Sequence, residues 1–271
     1  MKRVFLPLLM MTALLLGGCA RAEGLRVDFY DVGKADAMLI TAPDGWRMLI
    51  DAGTNKGGKL LASRFEKEGI DHIDVMLITH YDKDHVGGAD KILKSVTVDT
   101  VIMPLYDKES KQYDQFAEAL QKAGGVNVQG LHTGADITLE AGGAQLRITA
   151  SHRSDYGLDE ENDFSLAVRL TYGDTRFLFA GDAEAPRQME LLQEGDVACD
   201  VLKVPYHGRY TAASDTFLRA AAPRIAFIPD SEDEPASTIL VNILRELGTD
   251  VRCARDGDMT VVSDGIHVSI Q

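Results

Sequence analysis

Four side chains able to hold a metal fall within six residues, in the run His80-Tyr81-Asp82-Lys83-Asp84-His85. Imidazole and carboxylate together suit divalent first-row cations. On an extended or tightly turned loop, His80 and Asp82 can face one point and Asp84 and His85 another, and a single ion seldom takes all four. Two ions about 3.5–4 Å apart would use them, supplying a Lewis acid and a metal-bound hydroxide for attack on an ester-like centre. The pattern recurs further along the chain. Gly181-Asp182 follows the apolar run Phe177-Leu178-Phe179-Ala180, and His207-Gly208 follows Val201-Leu202-Lys203-Val204-Pro205. Three arrivals of ligand-type residues at the ends of apolar runs argue against a solvated loop with scattered charges.

Such residues need strands to deliver them. Residues 25–32 alternate as a half-buried strand does and break at Gly33. Runs over 37–41 and 47–50, joined by the turn signal Pro43-Asp44-Gly45, continue a β-meander. Helical periodicity over 59–68 closes at Gly69, and the apolar stretch 75–78 predicts a buried strand ending at His80. A helix over 89–94, a strand over 98–103 and an amphipathic helix over 111–122 follow. The second half repeats the theme, with strands over 146–150, 165–172 and 176–179 around the turn Gly173-Asp174. Helices over 184–192, 214–222 and 237–247 alternate with strands over 201–204 and 225–228 before a hairpin through Ser263-Asp264-Gly265. Two β-rich halves, each backed by helices, predict an α/β protein built as a four-layer αββα sandwich.

With 271 residues, 45% hydrophobic and 26% charged, the chain has the balance of a globular protein rather than a disordered or membrane-spanning one. Lys2 and Arg3 precede an apolar run over 4–16 that ends in Gly17-Gly18-Cys19. This predicts a lipoprotein-type signal peptide over 1–18, a lipidated Cys19, and one domain over 19–271 exported to the extracytoplasmic face of a membrane. The formal net charge is −14, and loss of the leader removes two positive charges more. Such acidity disfavours tight non-specific binding of nucleic acid by the surface as a whole, while leaving room for a local basic groove. Cys199 and Cys253 are open to two readings, a disulfide in an oxidising compartment or two buried thiols.

The chain resembles the metallo-β-lactamase superfamily and, within it, the extracytoplasmic domain of the ComEC/Rec2-like competence proteins and their stand-alone relatives. Asp31-Val32-Gly33-Lys34-Ala35-Asp36-Ala37 is similar to that family's D-V-G-Q-G-D-A opening. Leu49 to Gly53, Thr79 to Gly88, Asn162-Asp163-Phe164-Ser165, Ala180-Gly181-Asp182 and Leu202 to Gly208 then match in order, covering the chain from about residue 25 onward. The resemblance implies a metal-dependent hydrolase with two divalent ions. His80 and Asp82 would belong to the first site, Asp84, His85 and His207 to the second, with Asp182 bridging and Asp84 and Asp182 serving catalysis. Asn162 and Asp163 stand where the superfamily usually places another first-site histidine, and His152 is their rival. Asp51 would hydrogen-bond a ligating histidine or serve as a plain turn residue. Asp36 and Lys203 match family positions, as reacting groups or as a structural ion pair.

Asp82 replaces a histidine of the usual His-x-His-x-Asp-His, so the first site becomes richer in oxygen, which favours Mn²⁺ at least as much as Zn²⁺. Tyr206-His207-Gly208-Arg209 replaces His-His-Gly-Ser, and Glu234-Pro235 replaces a later His-Pro. Glu234 would oppose a substrate phosphate; Arg209 and Lys203 would favour one. The implied substrate is a phosphodiester, DNA included, or a related ester. Small esters or lactones are the competing substrates, and a lipid-anchored accessory protein that binds metal without hydrolysis is the competing class.

Overall fold

The computed structural model describes residues 24–157 and 161–271, so the expected leader over 1–18 and Cys19 lie outside the described residues. The first sheet begins with β1 (Leu25–Phe29), β2 (Met38–Thr41), β3 (Arg47–Ile50), β4 (His72–Leu77), β5 (Thr97–Pro104) and β6 (Asn127–Leu131). The second contains β7 (Asp136–Ala141), β8 (Ala144–Thr149), β9 (Ala167–Tyr172), β10 (Thr175–Phe179), β11 (Val201–Lys203), β12 (Ile225–Ile228) and β13 (Asp250–Cys253). Strands β14 (Met259–Ser263) and β15 (Val268–Ile270) return to the first, whose order is β15-β14-β1-β2-β3-β4-β5-β6. The second runs β13-β12-β11-β10-β9-β8-β7.

Each sheet is antiparallel in one part and parallel in the other. Pairing from β3 through β6 is parallel, as is pairing from β10 through β13. Parallel neighbours need crossovers, and the helices supply them. α1 (Asn55–Glu68), α2 (Ala89–Ser95) and α3 (Lys111–Ala123) connect β3 to β6; α4 (Ala185–Glu194), α5 (Ser214–Ala221) and α6 (Thr238–Glu246) connect β10 to β13.

Three buried layers follow from strand alternation. On β4, Val75 and Leu77 join Phe29, Phe179 and Phe227 between the sheets, while Met76 turns outward onto Leu61, Phe65 and Phe116 of α1 and α3. On the other side Leu178 and Leu202 pack on Leu191, Phe217 and Leu244 of α4, α5 and α6. The predicted αββα sandwich is therefore present. Burial on both faces explains why β4 reads as a continuous apolar run.

Helix α1 begins four residues before the predicted Lys59. Thr54 caps it, its hydroxyl accepting the Gly57 amide at 3.0 Å, and Gly69 ends it in the left-handed region at φ 70°. Gly57 and Gly58 belong to the helix because the backbone leaves no room for side chains there. A Cβ on Gly58 would lie 2.3 Å from the Gly88 Cα, so the start of α1 packs directly on the end of the 80–88 loop. Cys199 and Cys253 are free thiols. No helix among the described residues is long and apolar enough to cross a membrane.

Candidate metal centre

The carboxyl ends of the parallel strands converge on one rim, the position where mixed and parallel sheets commonly hold ligands. Asp51 follows β3, His80 to His85 follow β4, Asp182 follows β10 and His207 follows β11. Both halves of the sandwich therefore contribute. Ligand-capable atoms of Asp36, His85, Asp182 and His207 all lie within 4.8 Å of one another, and all four residues are buried. Asp182 Oδ2 is 2.9 Å from His207 Nε2 and 3.3 Å from His85 Nε2. Asp84 Oδ2 is 3.4 Å from His207 Nε2, and the His80 and His85 rings stand 4.1 Å apart.

Each histidine is held by its other nitrogen. His85 Nδ1 lies 2.8 Å from Asp51 Oδ2, and Asp51 also accepts the Thr79 amide at 2.8 Å and the Thr79 hydroxyl at 2.7 Å. His207 Nδ1 is 2.9 Å from the Pro229 carbonyl, which can only accept. His80 Nδ1 sits between the hydroxyls of Thr79 at 3.2 Å and Ser165 at 3.3 Å. The Nε2 atoms of all three rings are buried without a hydrogen-bond partner among the described residues. Buried polar atoms are rarely left so. Three nitrogens fixed from behind, with carboxylates rather than hydrogen bonds in front of them, fit a divalent cation. His207 and the preceding Tyr206 have φ of 49° and 52°, a conformation that non-glycine residues rarely adopt and that functional sites often retain.

The charges point the same way. Lys203 Nζ is fully buried, 2.5 Å from Asp36 and 3.3 Å from Asp182, so Asp36 and Lys203 form a buried ion pair at the floor of the cluster. One ammonium stands against several carboxylates. Burial, then the neighbouring His85 ring, pushes His80 down to about 4 and keeps it neutral. Burial also opposes a proton on His85 and His207, yet the carboxylates of Asp182 and Asp36, with Asp51 for His85 and Asp84 for His207, outweigh it and raise both. Burial works against charge on Asp182 too, but His207, His85 and Lys203 hold it well below the carboxylate range. A field that draws protons onto imidazoles also attracts divalent cations.

The other expected ligands are placed differently. Asp82 Oδ2 lies 3.9 Å from His80 Nε2, while Asp82 Oδ1 pairs with Lys108 at 3.3 Å. Asp163 holds the start of α4, where its Oδ1 accepts the Glu184 amide at 2.8 Å and the Arg187 amide at 3.2 Å. Asn162 donates to Glu184 at 2.8 Å beside it. The structure does not bring His152 to the cluster; it is exposed, 3.1 Å from Glu194. Thr79 and Ser165, which orient the rings, lie inside matched motifs that do not reveal this role, and the Pro229 carbonyl lies outside any motif.

The family model of the metallo-beta-lactamase superfamily matches residues 30–229. The chain belongs to the metallo-beta-lactamase superfamily. Within the superfamily it is similar to ComE operon protein 3 of Bacillus subtilis, at 26% identity over 78% of this chain and 29% of that protein. It is similar also to Recombination protein 2 of Haemophilus influenzae, at 28% identity over 78% of this chain and 25% of that protein. The chain thus spans between a quarter and a third of the length of these relatives. CmlA, a diiron β-hydroxylase from Streptomyces venezuelae, superposes with a TM-score of 0.59 over 89% of this chain and 54% of that one, at 17% identity, a likeness of fold.

Proposed function

We propose that this chain is a metal-dependent hydrolase with a dinuclear centre that cleaves a phosphodiester or related ester, DNA among the candidate substrates. The observation that carries the reading is the convergence of three buried imidazole nitrogens, none with a hydrogen bond among the described residues, on the carboxylates of Asp82, Asp84 and Asp182. Divalent cations held there would supply Lewis acidity and lower the pKa of a water. His80 and Asp82 would serve one position, Asp84, His85 and His207 the other, and Asp182, already between two imidazoles, both. Hydrolysis joins the oxygen of water to phosphorus, breaks the bond to the leaving alcohol and moves the proton of water. Asp84, whose Oδ2 lies 3.4 Å from His207 Nε2, would take that proton and pass it to the leaving oxygen. Lys203 stays buried and balances Asp36 and Asp182 rather than meeting substrate.

Oxygen-rich coordination through Asp82 supports activity with Mn²⁺ at least equal to that with Zn²⁺. The order of Lys2, Arg3, the apolar run and Cys19 supports export and a lipid anchor, which mass spectrometry of the mature N-terminus tests directly. For the reaction, the assay is hydrolysis of bis-p-nitrophenyl phosphate, single-stranded DNA, phosphate monoesters and lactones after metal analysis. Turnover should need added divalent metal, cease with chelator and vanish in the His80→Ala/Asp82→Ala double variant. Chelator-resistant turnover sinks the mechanism. Stoichiometric metal with no turnover of any ester favours the accessory role instead.

A further inference from the structure

Beside the metal centre lies a groove of about 520 Å³ lined by Lys56, Lys59, Lys91 and Lys111 with Asn55 and two glutamines; among the described residues no carboxylate lines it. In a chain of net charge −14, that composition stands out. Lys56 also lines a larger depression that reaches Asp84, with Lys34, Lys83 and Arg209 set among Asp31, Asp233 and Glu234. Gln112, at the other end, also lines a third that contains Asp82, Asp84, Lys83 and Lys108. The groove therefore adjoins the mouth of the metal centre on two sides. Lys91 is bonded to Asp90 at 2.6 Å and to Asn55 at 2.7 Å, but Lys56, Lys59, Lys83 and Lys111 are exposed and have no ion pair among the described residues.

The placement of these lysines works against the helices that carry them. Lys56 and Lys59 lie near the start of α1, whose first turn has no acidic residue, and Lys111 opens α3, whose first turn has Asp114 alone. Helix N-termini carry positive partial charge, so cations there are unfavourable and repel one another across the groove. An anion spanning them removes both penalties. Three lysines without an ion pair among the described residues, Lys56, Lys59 and Lys111, suit several singly charged groups in a row better than one phosphate, and lysine acts as a point charge without the planar recognition of arginine. Among the described residues the groove lining has no aromatic side chain on which a base could stack.

We infer that this lysine groove binds the backbone of a linear phosphodiester chain, holding units that flank the bond presented to the metal centre. The inference rests on the phosphodiester reading of that centre and adds where a polymeric substrate runs and what part of it is recognised. The contact is with the sugar-phosphate backbone, independent of base.

The test is fluorescence anisotropy on the full chain with chelator present, so that no strand is cut. The probes are a labelled oligothymidylate of about 12 units and an abasic sugar-phosphate chain of the same length. Both should bind with similar affinity. At about 50 mM salt the Lys56→Ala/Lys59→Ala/Lys111→Ala variant should bind each about tenfold or more weakly, with the log–log salt slope flatter by about 2, roughly 0.7 per lost phosphate contact. The corresponding triple arginine variant, which keeps the charge, should retain binding and so separates charge from folding. Bis-p-nitrophenyl phosphate, too short to reach the groove, should be turned over equally by variant and parent. Unchanged strand binding in the alanine variant overturns the groove even where that turnover is normal. An abasic chain bound more than about tenfold weaker than oligothymidylate overturns backbone recognition. Groove-dependent binding with no turnover in the parent keeps the groove and overturns the hydrolase reading.

Discussion

Two buried charge clusters meet at residues 163–165 and are built on opposite terms. In one, Arg187 is fully buried and reaches Glu190 at 3.1 Å, Glu194 at 2.8 Å and the Thr149 carbonyl at 3.1 Å, while Arg169 lies 2.9 Å from Glu194. Each guanidinium answers a carboxylate, so charge is matched within the cluster, although Arg169 Nε and Nη2 and Glu194 Oε2 make no hydrogen bond among the described residues. In the other, His80, His85 and His207 are secured from behind while their Nε2 atoms, without a hydrogen bond among the described residues, face the carboxylates of Asp82, Asp84 and Asp182. Ser165 serves both: its carbonyl accepts from Arg187 at 3.4 Å, and its hydroxyl accepts the Asp182 amide at 3.0 Å. Burial and charge alone do not mark a site. What marks it is an excess of carboxylate over buried cation around imidazole nitrogens that converge on one point.

Substitutions in the two clusters should therefore separate stability from chemistry. Arg187→Met should cost about 3 kcal/mol of stability by leaving Glu190 and Glu194 with Arg169 as their one buried cation among the described residues, while the folded fraction keeps its metal content. Denaturant titration and metal analysis check both halves, and a loss of metal without a loss of stability breaks the comparison. Asp51→Asn should do the reverse: it weakens the hold on His85 Nδ1 and should lower metal affinity about 10–100-fold with less effect on the unfolding midpoint. Competition with a chromogenic chelator measures it.

Asp163→Ala should lose about 1 kcal/mol, the scale of a lost helix cap, with metal stoichiometry unchanged. Reduced stoichiometry would return Asp163 to the ligand set. The smallest effect concerns acid. Burial opposes charge on Glu194, but Arg187 and Arg169 outweigh it and lower its pKa from 4.5. Its stabilisation is complete above the ordinary value and is lost as pH falls through the lowered one. Unfolding midpoints measured downward from pH 5 should fall less steeply in Glu194→Gln than in the parent; equal slopes would remove Glu194 from the charge-matched cluster.

A contrast between buried centre and exposed edge explains what the amino-acid sequence reveals. Central strands such as β4 and β11 are buried on both faces and show as apolar runs, so the residues delivered at their ends are visible too. The strands without such a signal, β6, β7 and β13, are all sheet edges with polar or exposed positions, as in the pattern Asp136-Ile137-Thr138-Leu139-Glu140. At the site, His80, Asp84, His85, Asp182 and His207 are legible because ligand chemistry restricts residue type. Asp36 and Ser165 are visible only through their places in matched family motifs, whereas the Pro229 carbonyl acts through a contact between distant segments, which local pattern does not record. Asp163 shows the converse: a carboxylate in a matching motif is claimed by a neighbouring helix.

His85 comes from the first sheet's half of the chain, and Asp182 and His207 from the second. A cation gripped by all three would act as a fastener across the seam of the sandwich, joining segments that the unfolded chain holds far apart. Closing so long a loop is entropically expensive, and a ligand bound by the folded state alone shifts the equilibrium by mass action. Metal supply would then govern the lifetime of the molecule as well as its reactivity, with the two halves parting most readily where the metal is scarce.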